Sequence, residues 1–120
     1  MNLRKQIENY IPFDYQEEKD KDYFLKFIDT FDDVLTRDNE FGHFSASAFV
    51  VNKTKTKMLV VHHNILGGWV YPGGHADGES DLLSVALREV EEETGLKAKI
   101  LDSNIFSIQA LPTKGHIKRD

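Results

Sequence analysis

An α+β fold, a sheet flanked by helices, is what this 120-residue chain predicts, and three observations carry the prediction. Residues 1–37 have apolar positions at helical spacing. Residues 44–62 hold two runs of β-forming residues around a polar turn. Residues 73–95 pass from a glycine-rich turn into an amphipathic helix that ends in a cluster of glutamates. Segregated helical and strand-like stretches of this kind pack as layers around one core.

The first segment reads as a short helix near 3–10, ended by Pro12, whose ring and missing N–H cannot continue it. A second helix fits 17–31. Tyr23, Phe24, Phe27, Ile28 and Phe31 make its apolar face, and Val34 and Leu35 extend it. Such a face is expected to pack on its own domain; a dimer contact or a substrate lid is the alternative. Residues 1–37 therefore read as a helical N-terminal extension and 38–120 as the main domain.

Strands are expected at 44–51 and 57–62, joined as a hairpin by the polar turn 52–56. His62 and His63 end the second run and point to opposite faces, so both read as structural or solvated. Gly67-Gly68 marks a loop before a short strand over 69–71. Trp69 could stack on a base, but a tryptophan beside a short strand reads first as core. Beyond the glutamate-rich helix, 97–101 and 104–110 look like strands. In the latter Phe106, Ile108 and Ala110 alternate with Ser107 and Gln109. Residues 112–120 are polar and read as a loop.

Composition narrows the function. A net charge of −5 argues against broad binding to nucleic acid or acidic membranes. The absence of cysteine excludes disulfides, zinc–thiolate sites and a thiol nucleophile. No apolar run approaches the ~20 residues a spanning helix needs. Met1-Asn2-Leu3-Arg4-Lys5 leads into polar sequence instead of a signal core, so a cytoplasmic protein is expected.

The helix over 81–94 places Leu83, Ala86, Leu87 and Val90 at i, i+3, i+4 and i+7 as one buried stripe. Ser80 or Asp81 is suited to cap its start and Gly95 to end it. Glu89, Glu92 and Glu93 follow the i, i+3, i+4 spacing that shares one helix face. Three carboxylates converging there would offer the oxygen ligands that magnesium or manganese prefers. Arg88 precedes Glu92 by one turn and is placed to pair with it. By themselves, Glu91, Glu92 and Glu93 would read as a solvated face. Exposed like-charge pairs cost only ~0.2–0.5 kcal/mol each.

The whole string over 73–96 says more. It closely resembles the signature of the Nudix hydrolases, G-x5-E-x7-R-E-U-x-E-E-x-G-U, with U a bulky aliphatic residue. Gly74, Arg88, Glu89, Val90, Glu92, Glu93, Gly95 and Leu96 match in register. One position departs: Ser80 stands where the early glutamate belongs, and Glu79 lies one residue before it. In the family that acid supports the turn and the arginine, a role Glu79 or Asp81 could take over.

The resemblance implies a Nudix-type α/β/α sandwich with a mixed sheet. It implies metal binding by Glu89, Glu92 and Glu93 with the backbone carbonyl of Gly73, and catalytic roles for Arg88, Glu89 and Glu92, one of the two glutamates acting as base. The cofactor would be Mg2+ or Mn2+. The reaction would be hydrolysis of a diphosphate linkage in a nucleoside diphosphate derivative, a small molecule, with neither nucleic acid nor membrane as partner. The lack of cysteine sets the chain apart from the isopentenyl diphosphate isomerase branch. His75 could touch a phosphate but reads first as a solvated turn residue. A non-catalytic nucleotide sensor is the alternative, and an interaction protein using the aromatic N-terminal helix is a third reading. Because only residues 97–120 follow Leu96, the last strands and helix of the fold are expected to be lacking. Exposed edges would then favour a homo-oligomer or a domain swap.

Overall fold

The computed structural model describes residues 2–63 and 67–110. The loop expected over 112–120 and the His63 side chain lie outside the described part. The chain divides into two compact units. Leu3–Asp32 and residues 104–110 form one, and Asp33–Ser103 the other.

In the first unit, α1 (Leu3–Asn9) and α2 (Tyr15–Thr30) pack together. Asp14 is extended, and its carboxylate accepts from the Glu17 amide at 2.9 Å, so α2 starts two residues before the expected position. The last carbonyls of a helix lack partners within it. Lys21 supplies one for α1, donating to the carbonyls of Glu8 at 2.9 Å and Tyr10 at 2.8 Å. Arg4 ties the helices by a two-pronged contact with Asp29 at 2.9 Å and also meets Glu8. Ile7 is the buried apolar residue of α1.

The strand expected over 104–110 is not formed. The amide of Ile108 donates to Glu17 at 3.4 Å and that of Ala110 to Asp20 at 3.3 Å. These backbone groups are satisfied by α2 side chains instead of a neighbouring strand. The alternation also fails, because Ile108 is buried while Phe106 is 73% exposed. The apolar face of α2 is only half-buried at Phe24, Phe27 and Ile28, and Tyr23 is exposed. Val34 and Leu35 belong with the second unit, where their carbonyls accept from the amides of Phe44 at 2.8 Å and Gly78 at 2.9 Å.

The second unit is α+β, with small antiparallel sheets. β1 (Ser45–Ser47) pairs with β4 (Gly73–His75) in the register Ser45↔His75, Ala46↔Gly74, Ser47↔Gly73. The pairing continues through the Ala48 amide to the Pro72 carbonyl, 2.9 Å, and an edge-on contact of Phe49 with Tyr71. β2 (Val61–His63) pairs with β3 (Gly68–Val70). The expected hairpin exists at its tip. Val51 bridges Met58, and the Asn52 carboxamide oxygen accepts from the amides of Thr56 and Lys57. Beyond the tip the two runs separate, 45–49 lying along 71–75 and Val61–His63 along Gly68–Val70.

The mixed sheet implied by the resemblance is not seen among the described residues. Residues 97–101 are irregular, and Ile100 and Leu101 are exposed. No described helix is long and apolar enough to cross a membrane.

α3 (Leu82–Thr94) lies on β1 and β4. Asp81 caps its start, accepting from the Ser84 amide at 3.3 Å and the Ser84 hydroxyl at 2.8 Å. Gly95 ends it in the left-handed region, φ 76°, with its amide on the Glu91 carbonyl at 2.8 Å. Both ends match the sequence expectation. The buried stripe is rotated from it: Val85, Ala86 and Val90 are deepest, while Leu83 and Leu87 are half-buried. Glu89 stands one turn beyond Val85, so the rotation carries its carboxylate toward the sheet.

Candidate active site

The site is built where α3 crosses Gly73 and Gly74. A methyl group on Gly73 would lie 2.6 Å from the Ala46 carbonyl oxygen and 2.8 Å from the Ser47 Cα, so only glycine fits beside β1. A methyl group on Gly74 would lie 2.5 Å from Glu89 Oε1. The second glycine thus leaves room for a carboxylate against the strand. Glu93 also reaches the strand, its Oε1 accepting from the Gly73 amide at 3.0 Å.

Arg88 lies between the remaining acids. Its Nε is 3.7 Å from Glu89 Oε2 and 3.9 Å from Glu92 Oε1, ion-pair distances longer than hydrogen bonds. The expected one-turn pair of Arg88 with Glu92 is therefore present. The Glu89 side chain is 19% exposed and that of Glu92 is 60% exposed. Burial, and then the charges of Glu92 and Glu93, push the Glu89 carboxyl above its ordinary value against the opposing pull of Arg88.

All four charged signature residues of the helix are therefore brought to one end of α3. No three His, Asp or Glu side chains among the described residues are gathered into a ready coordination set. Glu93 is turned to the Gly73 amide and Glu92 toward Arg88. The donor chemistry still fits a hard divalent cation. The donors are carboxylate oxygens, and the repulsion felt at Glu89 is what a cation would relieve.

The turn before α3, where Ser80 replaces the early glutamate, is held by its neighbours. Asp77 and Gly78 take positive φ, 47° and 92°, and the Glu79 amide returns to the Ala76 carbonyl at 3.0 Å. Arg37 grips Asp77 through Nε at 3.1 Å and a terminal nitrogen at 3.2 Å. Glu79 Oε1 accepts from the Asp81 amide at 3.4 Å, and Asp81 caps the helix. Both acids support the turn, while the ion pairs of Arg88 run to Glu89 and Glu92.

Two residues depart from expectation. His75 is exposed, as a solvated residue would be, but it ends β4 instead of lying in the turn, and its Nδ1 lies 2.8 Å from His43 Nε2. Burial, then Arg37 and His43, lower its pKa. Sequence reasoning missed His43 and Arg37 because long-range folding alone brings them to His75 and Asp77. Asp77-Gly78 did carry a signal, since that dipeptide favours turns with positive φ. Trp69 is not core. It is exposed, and its ring meets that of His62 edge-on across the β2–β3 ladder.

Comparison with known proteins bears on the family. The sequence model of the NUDIX domain matches residues 42–115. Nudix hydrolase 6 of Arabidopsis thaliana is 38% identical over 73 residues, which cover 57% of this chain and 26% of the relative. The m7GpppN-mRNA hydrolase NUDT17 of Xenopus laevis is 32% identical over 73 residues, 52% of this chain and 24% of the relative. The chain thus spans about a quarter of the length of either relative. With more than half of its residues inside the domain match and the signature residues assembled on Gly73, Gly74 and α3, the chain belongs to the Nudix family.

Proposed function

We propose that this chain hydrolyses a diphosphate linkage in a nucleoside diphosphate derivative, using a divalent cation. The observation that carries the reading is the docking of the Glu89 and Glu93 carboxylates on Gly74 and Gly73, with Arg88 between Glu89 and Glu92, in a Nudix chain. Both relatives are named as hydrolases.

Glu89, Glu92, Glu93 and the Gly73 carbonyl would hold Mg2+ or Mn2+. When bound, the ion supplies charge neutralisation on the phosphates and acidifies a bound water. The rest falls to the chain. Glu89 or Glu92 takes the proton of the attacking water on a carboxylate oxygen. The water oxygen bonds to one phosphorus, the bond from that phosphorus to the bridging oxygen breaks, and two phosphorylated products leave. Arg88 holds Glu89 and Glu92 in place, and Gly74 keeps space for Glu89.

The test is release of mononucleotide from a panel of nucleoside diphosphate derivatives with Mg2+ or Mn2+. Wild-type release that survives undiminished in Glu92→Gln or Glu93→Gln would overturn the site assignment. Ser80 at the early-glutamate position favours a second reading, a nucleotide sensor. Metal-dependent nucleotide binding without product over hours would select it.

A further inference from the structure

Trp69, the sole tryptophan of the sequence, is 69% exposed. Its orientation is nevertheless set. His62 faces it in the β2–β3 register, with ring centroids 5.2 Å apart and planes at 81°. An edge-on cross-strand partner fixes the plane of an aromatic ring while leaving a face open. Tyr71, two residues on, is engaged by Phe49 at 4.5 Å, so the open indole is a separate surface.

The position of that surface is informative. Gly73, whose amide meets Glu93, is four residues further along the same segment. An extended chain advances at most ~3.3–3.6 Å per residue, so the Trp69 and Gly73 backbones are at most roughly 14 Å apart. A base, its ribose and a diphosphate can bridge such a gap. Every nucleobase has a π-face that an aromatic side chain can stack on.

We propose that Trp69, braced by His62, is the platform on which the base of the substrate stacks, with the diphosphate at the Gly73–Glu93 end. This rests on the hydrolase reading and assigns the base end of that substrate to one side chain, Trp69. Stacking accepts any base, so the subsite selects for aromaticity and not for one nucleobase.

The sole tryptophan is its own reporter. The full chain with Mg2+ is titrated with α,β-methylene-ADP, a non-cleavable probe, while tryptophan emission is followed. Methylenediphosphonate, which lacks the base, is the control. Saturable quenching by the nucleotide and none by the control is expected. In turnover, Trp69→Ala raises KM roughly ten- to a hundredfold with kcat little changed, and Trp69→Phe restores most of the affinity.

Unchanged emission at probe concentrations that inhibit turnover, or an unchanged KM in Trp69→Ala, would overturn the proposal. So would emission that shifts with protein concentration alone, which would mean that a second copy covers the ring. Failure of the hydrolase reading looks different: wild type then releases no product, while nucleotide quenching still supports the stacking site. Absence of both product and quenching removes both proposals.

Discussion

Helices α2 and α3 both carry carboxylates one turn apart, Glu17 and Asp20 on the first and Glu89, Glu92 and Glu93 on the second. Their surroundings differ. Glu17 takes the Tyr10 hydroxyl at 2.5 Å, the Phe13 amide at 2.7 Å and the Ile108 amide. Asp20 is buried and takes the Gln16 carboxamide at 3.0 Å and the Ala110 amide. The protein's own donors occupy these oxygens, and the result is a local staple. On α3, Glu89 lies against a glycine that donates nothing to it, beside Glu92 and Glu93, and the pairs to Arg88 are long. Spacing on a helix does not tell these two settings apart; the supply of internal donors does, and on α3 Glu93, held by the Gly73 amide, is the better supplied of the three.

Removing one carboxylate from each helix breaks that comparison most sharply. Glu92→Gln should lower metal-dependent turnover by roughly 10²–10⁴-fold if Glu92 is the base, with the thermal melt almost unmoved. Glu17→Ala should do the reverse, leaving turnover intact. It strips acceptors from Tyr10, Phe13 and Ile108, which should cost ~1–3 kcal/mol in denaturant unfolding. Equal losses of turnover in the two variants would erase the distinction between the helices.

The glycine pair gives the next largest effect. In Gly74→Ala the new methyl meets the flexible end of Glu89, which swings away. Displacing a reacting group by ~1 Å can cost on the order of 10²-fold, so kcat should fall while the melt hardly changes. In Gly73→Ala the obstacle is backbone of β1, so stability should fall as well. A Gly74→Ala enzyme with wild-type kcat would show that Glu89 has no need of its place on the strand.

The legibility of these elements followed how local their causes are. α3 could be read to within a residue because its period, the Asp81 cap and the Gly95 stop all lie within the segment. Partner choice between strands is not local. Residues 44–51 and 57–62 have the β-forming character of a hairpin, yet the first run lies along 71–75 up to residue 49 and meets the second only at Val50 and Val51. The same limit hid the His43–His75 contact, which depends on the β1–β4 register. The alternation in 104–110 misled for another reason: carboxylates of α2 offered its amides acceptors that no pattern within the segment announces. Trp69 misled because apolar character says only that a ring gains from cover, not that the fold provides it.

Asp81 supplies the subtlest test, because it is the carboxylate that caps α3 and is occupied in the manner of those on α2. The Ser84 hydroxyl first, and then the Ser84 amide, hold its carboxyl below the ordinary 3.8. The folded pKa lies below the unfolded one, so this contribution to stability is fully present above 3.8 and is lost as pH falls through the folded value. Asn at this position still caps a helix but does not titrate there. Asp81→Asn should therefore leave both turnover and the neutral-pH melt close to wild type while flattening the acid limb of melting temperature against pH below 3.8. An unaltered acid limb would mean that the cap carries no pH-dependent stability. A large loss of turnover would place Asp81 with the glutamates at the far end of the helix, and the division between occupied and reactive carboxylates would then have to be redrawn within α3 itself.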